Sequence, residues 1–178
     1  EMYRKITENH ELSEEEAKNT AKLIALAALK YGDLSNQASK DYVFDLDRFT
    51  SFEGDTGPYI LYTIVRIKSI LNKYKEQGGS PDTAELMDAV SASEKDLMMQ
   101  LAGFKSTMES AGAELAPHKI CAYIYDLANA FNRFYHETRI LAEEDEKRKA
   151  SYIKLLSLVQ KVLESCIDLL GFEAPDKM

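Results

Sequence analysis

"APHKICAYIYDLANAFNRFYHETRIL", residues 116–141, decides how the chain is read. Pro117 suits the first turn of a helix, because proline has no N–H to leave unpaired there and its fixed φ is already helical. From that start Ile120, Ile124, Leu127, Phe131 and Phe134 recur every three or four residues, which places them on one face of an α-helix. A stripe of this width must be covered by other elements, so the segment predicts a helix packed inside a bundle. Its opposite face carries Tyr125, Asn129, Asn132 and His136 at spacings of four, three and four, with Arg133 and Tyr135 alongside. That face holds few carboxylates, unlike a face present only for solubility.

Outward from this helix the same grammar repeats. On the C-terminal side, "EEDEKRKA" opens a helix with Ile153, Leu156, Val159, Leu163, Ile167 and Leu170 along one side, ended by Gly171. On the N-terminal side, Ser91 with Glu94 is a capping-box pattern ahead of Leu97, Leu101, Phe104 and Met108, and "ESAGAELAPHK" reads as a loop. Gly57 and Pro58 open a helix to about Lys75, and the Gly-Gly of "EQGGSPDT" interrupts the chain before Ser80-Pro81 starts the next element. Ser13 with Glu16 caps an alanine-rich helix that stops near Gly32. Between these two helices Tyr42, Phe44 and Leu46 alternate with Val43, Asp45 and Asp47, a period of two that predicts a short extended segment or strand. The expected fold is therefore all-α, a helical bundle with a short extended connector near residues 41–47.

Composition narrows the function. The chain has 178 residues, 45% hydrophobic and 29% charged, enough for one domain with a substantial core. A net charge of −8 argues against coating nucleic acid by charge alone, while leaving room for a local basic and aromatic patch. Cys121 and Cys166 have neither CxxC nor Cys/His spacing and read as reduced, buried, intracellular thiols. No apolar run reaches the length of about 18 residues that a membrane helix needs. The chain begins with Glu1, not Met, and opens without an apolar signal region, so it is expected to be a piece of a longer protein.

Enzyme signatures are weak. Asp45 and Asp47, two apart in an extended segment, would point the same way and could hold a cation or share a proton, although a solvated face explains them more simply. His10, His118 and His136 are too scattered for an evident metal site. No P-loop, GxGxxG, HExxH or GxSxG pattern occurs.

Binding features are stronger. Tyr59, Tyr62 and Arg66 fall at i, i+3 and i+7 on one helix face, and residues 57–76 carry four cations against one acid, +3 in an acidic chain. Tyrosine rings stack on unpaired bases, arginine pairs with phosphate or a base edge, and a glycine-bearing loop admits close backbone approach. Spacing alone leaves two readings open, this one and the more ordinary one in which the tyrosines pack on the bundle with their hydroxyls in water.

"AALKYGDLSNQASKDYVFDLDRFTSFEGDTGPYILYTIVRIKSIL" resembles the junction after the catalytic domain in the arginyl-tRNA synthetase family. "APHKICAYIYDLANAFNRFYHETRIL" and the ending "LLGFEAPDKM" resemble that family's C-terminal helical domain of the DALR anticodon-binding type. The resemblance runs from about residue 17 to Met178 and is thinnest over 76–110. It implies two parts: residues 1–47 as the trailing edge of the catalytic region with its connector, and 48–178 as the anticodon-binding domain. The partner it implies is the anticodon loop of arginine tRNA, and a cytoplasmic, monomeric parent is expected, with no membrane and no DNA involved.

In this resemblance "SFEGDT" (Ser51, Phe52, Glu53, Gly54, Asp55 and Thr56) matches a mobile loop that rearranges when the anticodon arm binds. Tyr59 and Tyr62 match tyrosines that meet anticodon-loop nucleotides, Arg66 a phosphate or base partner, and Tyr125 and Tyr135 aromatic positions facing the same site. Met178 matches a terminal methionine beside the central anticodon base, which is always C because every arginine codon has G in the middle. The HIGH-type and KMSKS-type signatures are missing here, so catalytic residues, ATP and arginine are expected to belong to the catalytic domain of the same polypeptide, with no cofactor or metal bound by this chain. The cysteinyl enzyme is a smaller alternative within the class. The alternative from another class is a helical protein–protein interaction module with exposed tyrosines.

Overall fold

The computed structural model describes residues 13–80 and 84–178. Its described residues form helices α1 (Glu14–Leu34), α2 (Leu46–Phe49), α3 (Gly57–Glu76), α4 (Ala92–Ala102), α5 (Phe104–Glu114), α6 (Pro117–Glu137) and α7 (Glu146–Leu169), with a 3₁₀ turn at Ile140–Ala142. No strand occurs among them, and no helix is long and apolar enough to cross a membrane.

The helix starts follow from their first residues. Ser13 Oγ accepts the Glu16 N–H at 3.3 Å while Glu16 Oε2 accepts the Ser13 N–H at 3.1 Å, the reciprocal capping box expected from the sequence. Thr56 Oγ1 accepts the Tyr59 N–H at 3.2 Å to cap α3, with Pro58 in its first turn. Pro117 starts α6 with no side-chain cap. Asp145 accepts the N–H groups of Lys147 and Arg148 to cap α7. Gly171, at φ +81°, reverses the chain after α7 in the left-handed conformation that glycine adopts without strain.

Helix α3 is the centre of the packing, touching α1, α6 and α7, and α6 in turn packs on α4 and α5. Ile60, Leu61, Ile64 and Ile67 of α3 are fully buried against Ile24 and Tyr31 of α1, Ile124, Leu127, Phe131 and Phe134 of α6, and Ile153, Leu156, Val159 and Leu163 of α7. Each such side chain removed from water stabilises the fold by about 1.5–3 kcal/mol. The α1–α3 crossing is tight because α1 presents alanines (Ala21, Ala27, Ala28) and α3 begins with Gly57. A Cβ on Gly57 would lie 2.3 Å from the Ala27 carbonyl oxygen. Cys121 and Cys166 are both free and buried, and burial pushes each thiol up to about 12.

Three local expectations are corrected. Residues 41–45 have no regular structure, and Leu46–Phe49 form one helical turn capped by Asp45, whose Oδ1 accepts the Arg48 N–H at 3.1 Å. The alternation of Tyr42 and Phe44 reflects ring packing on Phe49, whose centroid lies 6.0 and 5.0 Å from theirs, with Phe49 itself pressed on Gly32. The helix expected through Leu97 and Met108 is two helices broken at Gly103, and α5 runs on to Glu114 through much of the expected loop. The Ser91 cap is real, but the Glu94 carboxylate reaches one residue further back, accepting the Val90 N–H at 2.8 Å. Glu94 is wholly buried and faces Arg148 at 3.7 Å.

Residues 84–90 lack regular structure and are strapped to the start of α7. Met87 N–H donates to Ser151 Oγ at 2.9 Å and Arg148 Nη1 to the Asp88 carbonyl at 2.7 Å. Of the element expected to start at Ser80-Pro81, residues 81–83 lie outside those described, as does His10, and 84–90 carry no helix or strand.

Gly57→Ala is expected to cost about 1–3 kcal/mol or more, because the obstructing atom is backbone. Urea unfolding should show this as a lower midpoint at unchanged slope.

Candidate nucleic-acid interface

Burial of the aliphatic side of α3 fixes its rotation, so Tyr59, Tyr62 and Arg66 emerge together towards α6. They do not meet solvent separately. The Tyr59 hydroxyl donates to Asn129 Oδ1 at 2.7 Å and accepts from Asn132 Nδ2 at 2.8 Å. The same Asn132 Nδ2 lies 3.3 Å from Thr63 Oγ1, and Asn132 Oδ1 accepts from Arg66 Nη1 at 2.6 Å. Arg66 Nη2 donates to the Tyr62 hydroxyl at 3.0 Å. The guanidinium lies 4.6 Å from the Tyr62 ring centroid and 5.1 Å from that of Tyr135, and Tyr125 meets Tyr59 edge-on at 5.8 Å.

The structure therefore gathers five predicted residues, Tyr59, Tyr62, Arg66, Tyr125 and Tyr135, into one cross-helix ledge. Of the two readings that spacing left open, Tyr59 follows neither simply. Its ring packs on the bundle, but its hydroxyl is held by two asparagines, and burial raises its pKa while the Asn132 hydrogen bond works against that rise. Tyr62 and Tyr135 remain 40% and 37% exposed, enough ring surface to stack on a planar ligand. Arg66 is half-buried and has N–H donors beyond those given to Asn132 and Tyr62.

The loop Ser51–Thr56 leads directly into this ledge. Thr56 Oγ1 donates to the Ser51 carbonyl at 2.6 Å, and Ser51 Oγ accepts the Glu53 N–H at 3.1 Å. Phe52 packs against the core. Gly54 sits at φ +79° at an exposed tip beside Glu53. Asp55 Oδ1 lies 2.5 Å from the hydroxyl of fully buried Tyr31, which also faces the Cys121 carbonyl at 3.0 Å. Burial first, then the bond to Asp55, raises the Tyr31 pKa strongly, so Tyr31 stays neutral and donates to the carboxylate.

Met178 is positioned by other contacts. It is half-buried against the core at the end of a tail in which Phe172 and Pro175 are buried. Lys68 secures that tail through the Pro175 carbonyl at 3.5 Å and Asp176 at 3.6 Å, while pairing with Glu164 of α7 at 3.3 Å. Lys68 follows Arg66 by two residues and so lies on nearly the opposite side of α3.

The acid/base candidates do not form a site. Asp45 is engaged as the α2 cap and Asp47 is an exposed residue of the same turn. His136 meets Tyr135 edge-on at 5.6 Å. Among the described residues no three His, Cys, Asp or Glu side chains are grouped to hold a metal. Sequence reasoning noted Asn129 and Asn132 in a polar row but missed their role. The available signal was their three-residue spacing on the face of α6 that also carries Tyr125.

The described residues thus form a helical bundle with an aromatic, arginine-bearing ledge beside a glycine-tipped loop. The chain belongs to the DALR anticodon binding domain family, whose sequence model matches residues 60–178. It is 63% identical over 186 aligned positions to an arginine–tRNA ligase of Agathobacter rectalis, a match covering 100% of this chain and 31% of that relative. To the arginine–tRNA ligase of Alkaliphilus oremlandii it is 50% identical, over 99% of this chain and 30% of the relative. The arginyl-tRNA synthetase of Thermus thermophilus superposes with a TM-score of 0.82 at 27% identity, over 99% of this chain and 31% of that one. That of Plasmodium falciparum gives 0.78 at 25% identity, over 98% and 30%. The chain thus spans about a third of the length of the relatives it matches.

Tyr31→Phe removes the hydroxyl that anchors Asp55 while keeping the ring. Losing this bond to a charged partner should destabilise the protein by about 1.5–3 kcal/mol. Limited proteolysis within residues 51–56 should speed up at the same time, measured by mass spectrometry of the first fragments.

Proposed function

We propose that this chain is the anticodon-reading part of an arginine–tRNA ligase, and that the ledge of Tyr59, Tyr62, Arg66, Tyr125 and Tyr135 receives the anticodon loop. The observation that carries the reading is the Arg66 guanidinium held between the Tyr62 and Tyr135 rings by bonds to Asn132 and Tyr62. A cation fixed in that way needs little ordering when a phosphate or base arrives, and the exposed ring faces offer stacking platforms for unpaired bases.

In this reading the Ser51–Thr56 loop borders the bound RNA and its Glu53–Gly54 tip adjusts to it. The Thr56 cap and the Asp55–Tyr31 bond keep the base of the loop in register with α3. Met178, at the end of the Lys68-secured tail, is the proposed neighbour of the central anticodon base. Residues from about 48 onward form the reading domain, with α1 as its link towards a catalytic domain. Attachment of arginine, with consumption of ATP, belongs to that catalytic domain, and this chain contributes the position of the tRNA. A role in translation also puts the parent in the cytoplasm.

The reading is tested by titrating the chain with arginine tRNA transcript and with a transcript carrying G in place of the middle C. Preferential binding of the native transcript, weakening steeply with salt as phosphate contacts require, is the expected result. Equal binding to both overturns anticodon reading, and binding that also ignores salt would make the ledge a protein-docking surface. Tyr62→Ala should weaken the native complex by about 1–3 kcal/mol, the loss of one stacking platform. Its thermal unfolding should change little, because the ring is 40% exposed.

A further inference from the structure

Asn132 makes more cross-helix bonds in the ledge than any other described side chain there. Its Oδ1 accepts from Arg66 Nη1 at 2.6 Å, and its Nδ2 donates to the Tyr59 hydroxyl at 2.8 Å and approaches Thr63 Oγ1 at 3.3 Å. Both ends of the amide are thus used, each towards a different residue of α3. Asn129, one helical turn earlier, takes the Tyr59 proton at 2.7 Å. The Tyr59 hydroxyl is thereby engaged in both directions, which leaves its ring as the part available to a ligand.

We infer that Asn132 is a positioning residue for RNA recognition: it holds the Arg66 guanidinium flat between the Tyr62 and Tyr135 rings and sets the plane of Tyr59. This inference rests on the anticodon-reading function proposed above. The physical argument concerns rotamer freedom. An arginine side chain samples many rotamers in water, and fixing one geometry costs free energy that binding must otherwise supply. Rings at 4.6 and 5.1 Å give the guanidinium a slot through weakly directional cation–π attraction, and the Tyr62 hydroxyl, accepting from Nη2 at 3.0 Å, belongs to an exposed ring that can move with it. A carboxamide oxygen at 2.6 Å fixes that remaining freedom. Asparagine is neutral, so it orients the cation without cancelling the charge a phosphate would use. An aspartate or glutamate there would bind Arg66 more strongly and repel RNA.

A residue that only stapled α3 to α6 would affect stability alike whether or not Arg66 were present, and would affect RNA binding only through folding. A positioning residue predicts coupling. The experiment measures the dissociation constant of native arginine tRNA transcript for the unaltered chain, Asn132→Ala, Asn132→Ser, Arg66→Ala and the Arg66→Ala/Asn132→Ala double variant, with circular dichroism and a thermal midpoint for each.

Expected are losses of about tenfold for Asn132→Ala and for Arg66→Ala, with the double variant no more than about twofold worse than Arg66→Ala alone. Asn132→Ser, polar but too short to reach Arg66, should behave like the alanine variant. It also keeps the test open should Asn132→Ala fail to fold. Losses that multiply in the double variant, or an Asn132→Ala affinity within about twofold of the unaltered chain, overturn the inference. Full recovery of affinity by Asn132→Ser overturns it as well. If the unaltered chain does not prefer the native transcript, the proposed function fails first, and that outcome is visible before any variant is compared.

Discussion

Helix α3 must bury one side completely and offer the other, and the rest of the molecule is arranged around that demand. Its buried side is aliphatic and at zero exposure from Ile60 to Ile67, enclosed by α1, α6 and α7 together. Those contacts leave α3 no freedom to roll, so the directions of Tyr59, Tyr62 and Arg66 are decided by residues that never meet a ligand. Gly57 sharpens the constraint. It lets α3 begin in contact with the Ala27 carbonyl of α1, which sets the depth of the first turn and with it the height of Tyr59. The loop before α3 is then short of slack, and Thr56, Ser51 and Asp55 turn it by hydrogen bonds to one another and to Tyr31.

Polar side chains at the edge of such a core incur a desolvation cost unless each finds a partner. The ledge meets that requirement across two helices. Tyr59 and Arg66 come from α3, Asn129 and Asn132 from α6, and each supplies a bond the other helix lacks. The same bonds that satisfy the half-buried groups also remove their rotational freedom, so stability and preorganisation arise from one set of contacts. Tyr62 joins this polar web only through its hydroxyl, which accepts from Arg66, Tyr135 stands outside it, and both keep exposed ring surface. The result is a graded face, with fixed polar groups inside and stackable rings outside.

How much of this could be read from the sequence depended on range. Helix starts at Ser13, Gly57–Pro58 and Pro117 are local events within four residues, and a capping box at the first and proline at the other two made them legible. The core stripes of α6 and α7 were legible because helical periodicity repeats over many residues. The end of the 41–47 segment was misread, since Leu46 and Asp47 belong to a helical turn, and the alternation before it has a tertiary cause: Tyr42 and Phe44 flank Phe49, which needs the hole at Gly32. The break at Gly103 was hidden by apolar spacing that continues across it from Leu97 to Met108. The three ledge residues of α3 were found by spacing, whereas the bond partners of Tyr59 and Arg66 were not, since nothing local says which turn of α6 lies opposite which turn of α3.

Net charge illustrates why the ledge has to act by geometry. At −8 the chain repels a polyanion at long range, and the +3 of residues 57–76 is only partly available. Lys68 is engaged with Glu164, Asp176 and the tail carbonyl, and Lys73 and Lys75 sit in the last turn of α3, where the helix dipole favours cations. Of these four cations, Arg66 is the one the fold aims into an aromatic slot. In the proposed role, electrostatic steering towards RNA comes largely from outside this chain, and discrimination from inside it. Separating the two suits the proposed task of distinguishing one loop from many similar ones, because charge attracts all tRNAs alike while fixed rings and a fixed guanidinium do not.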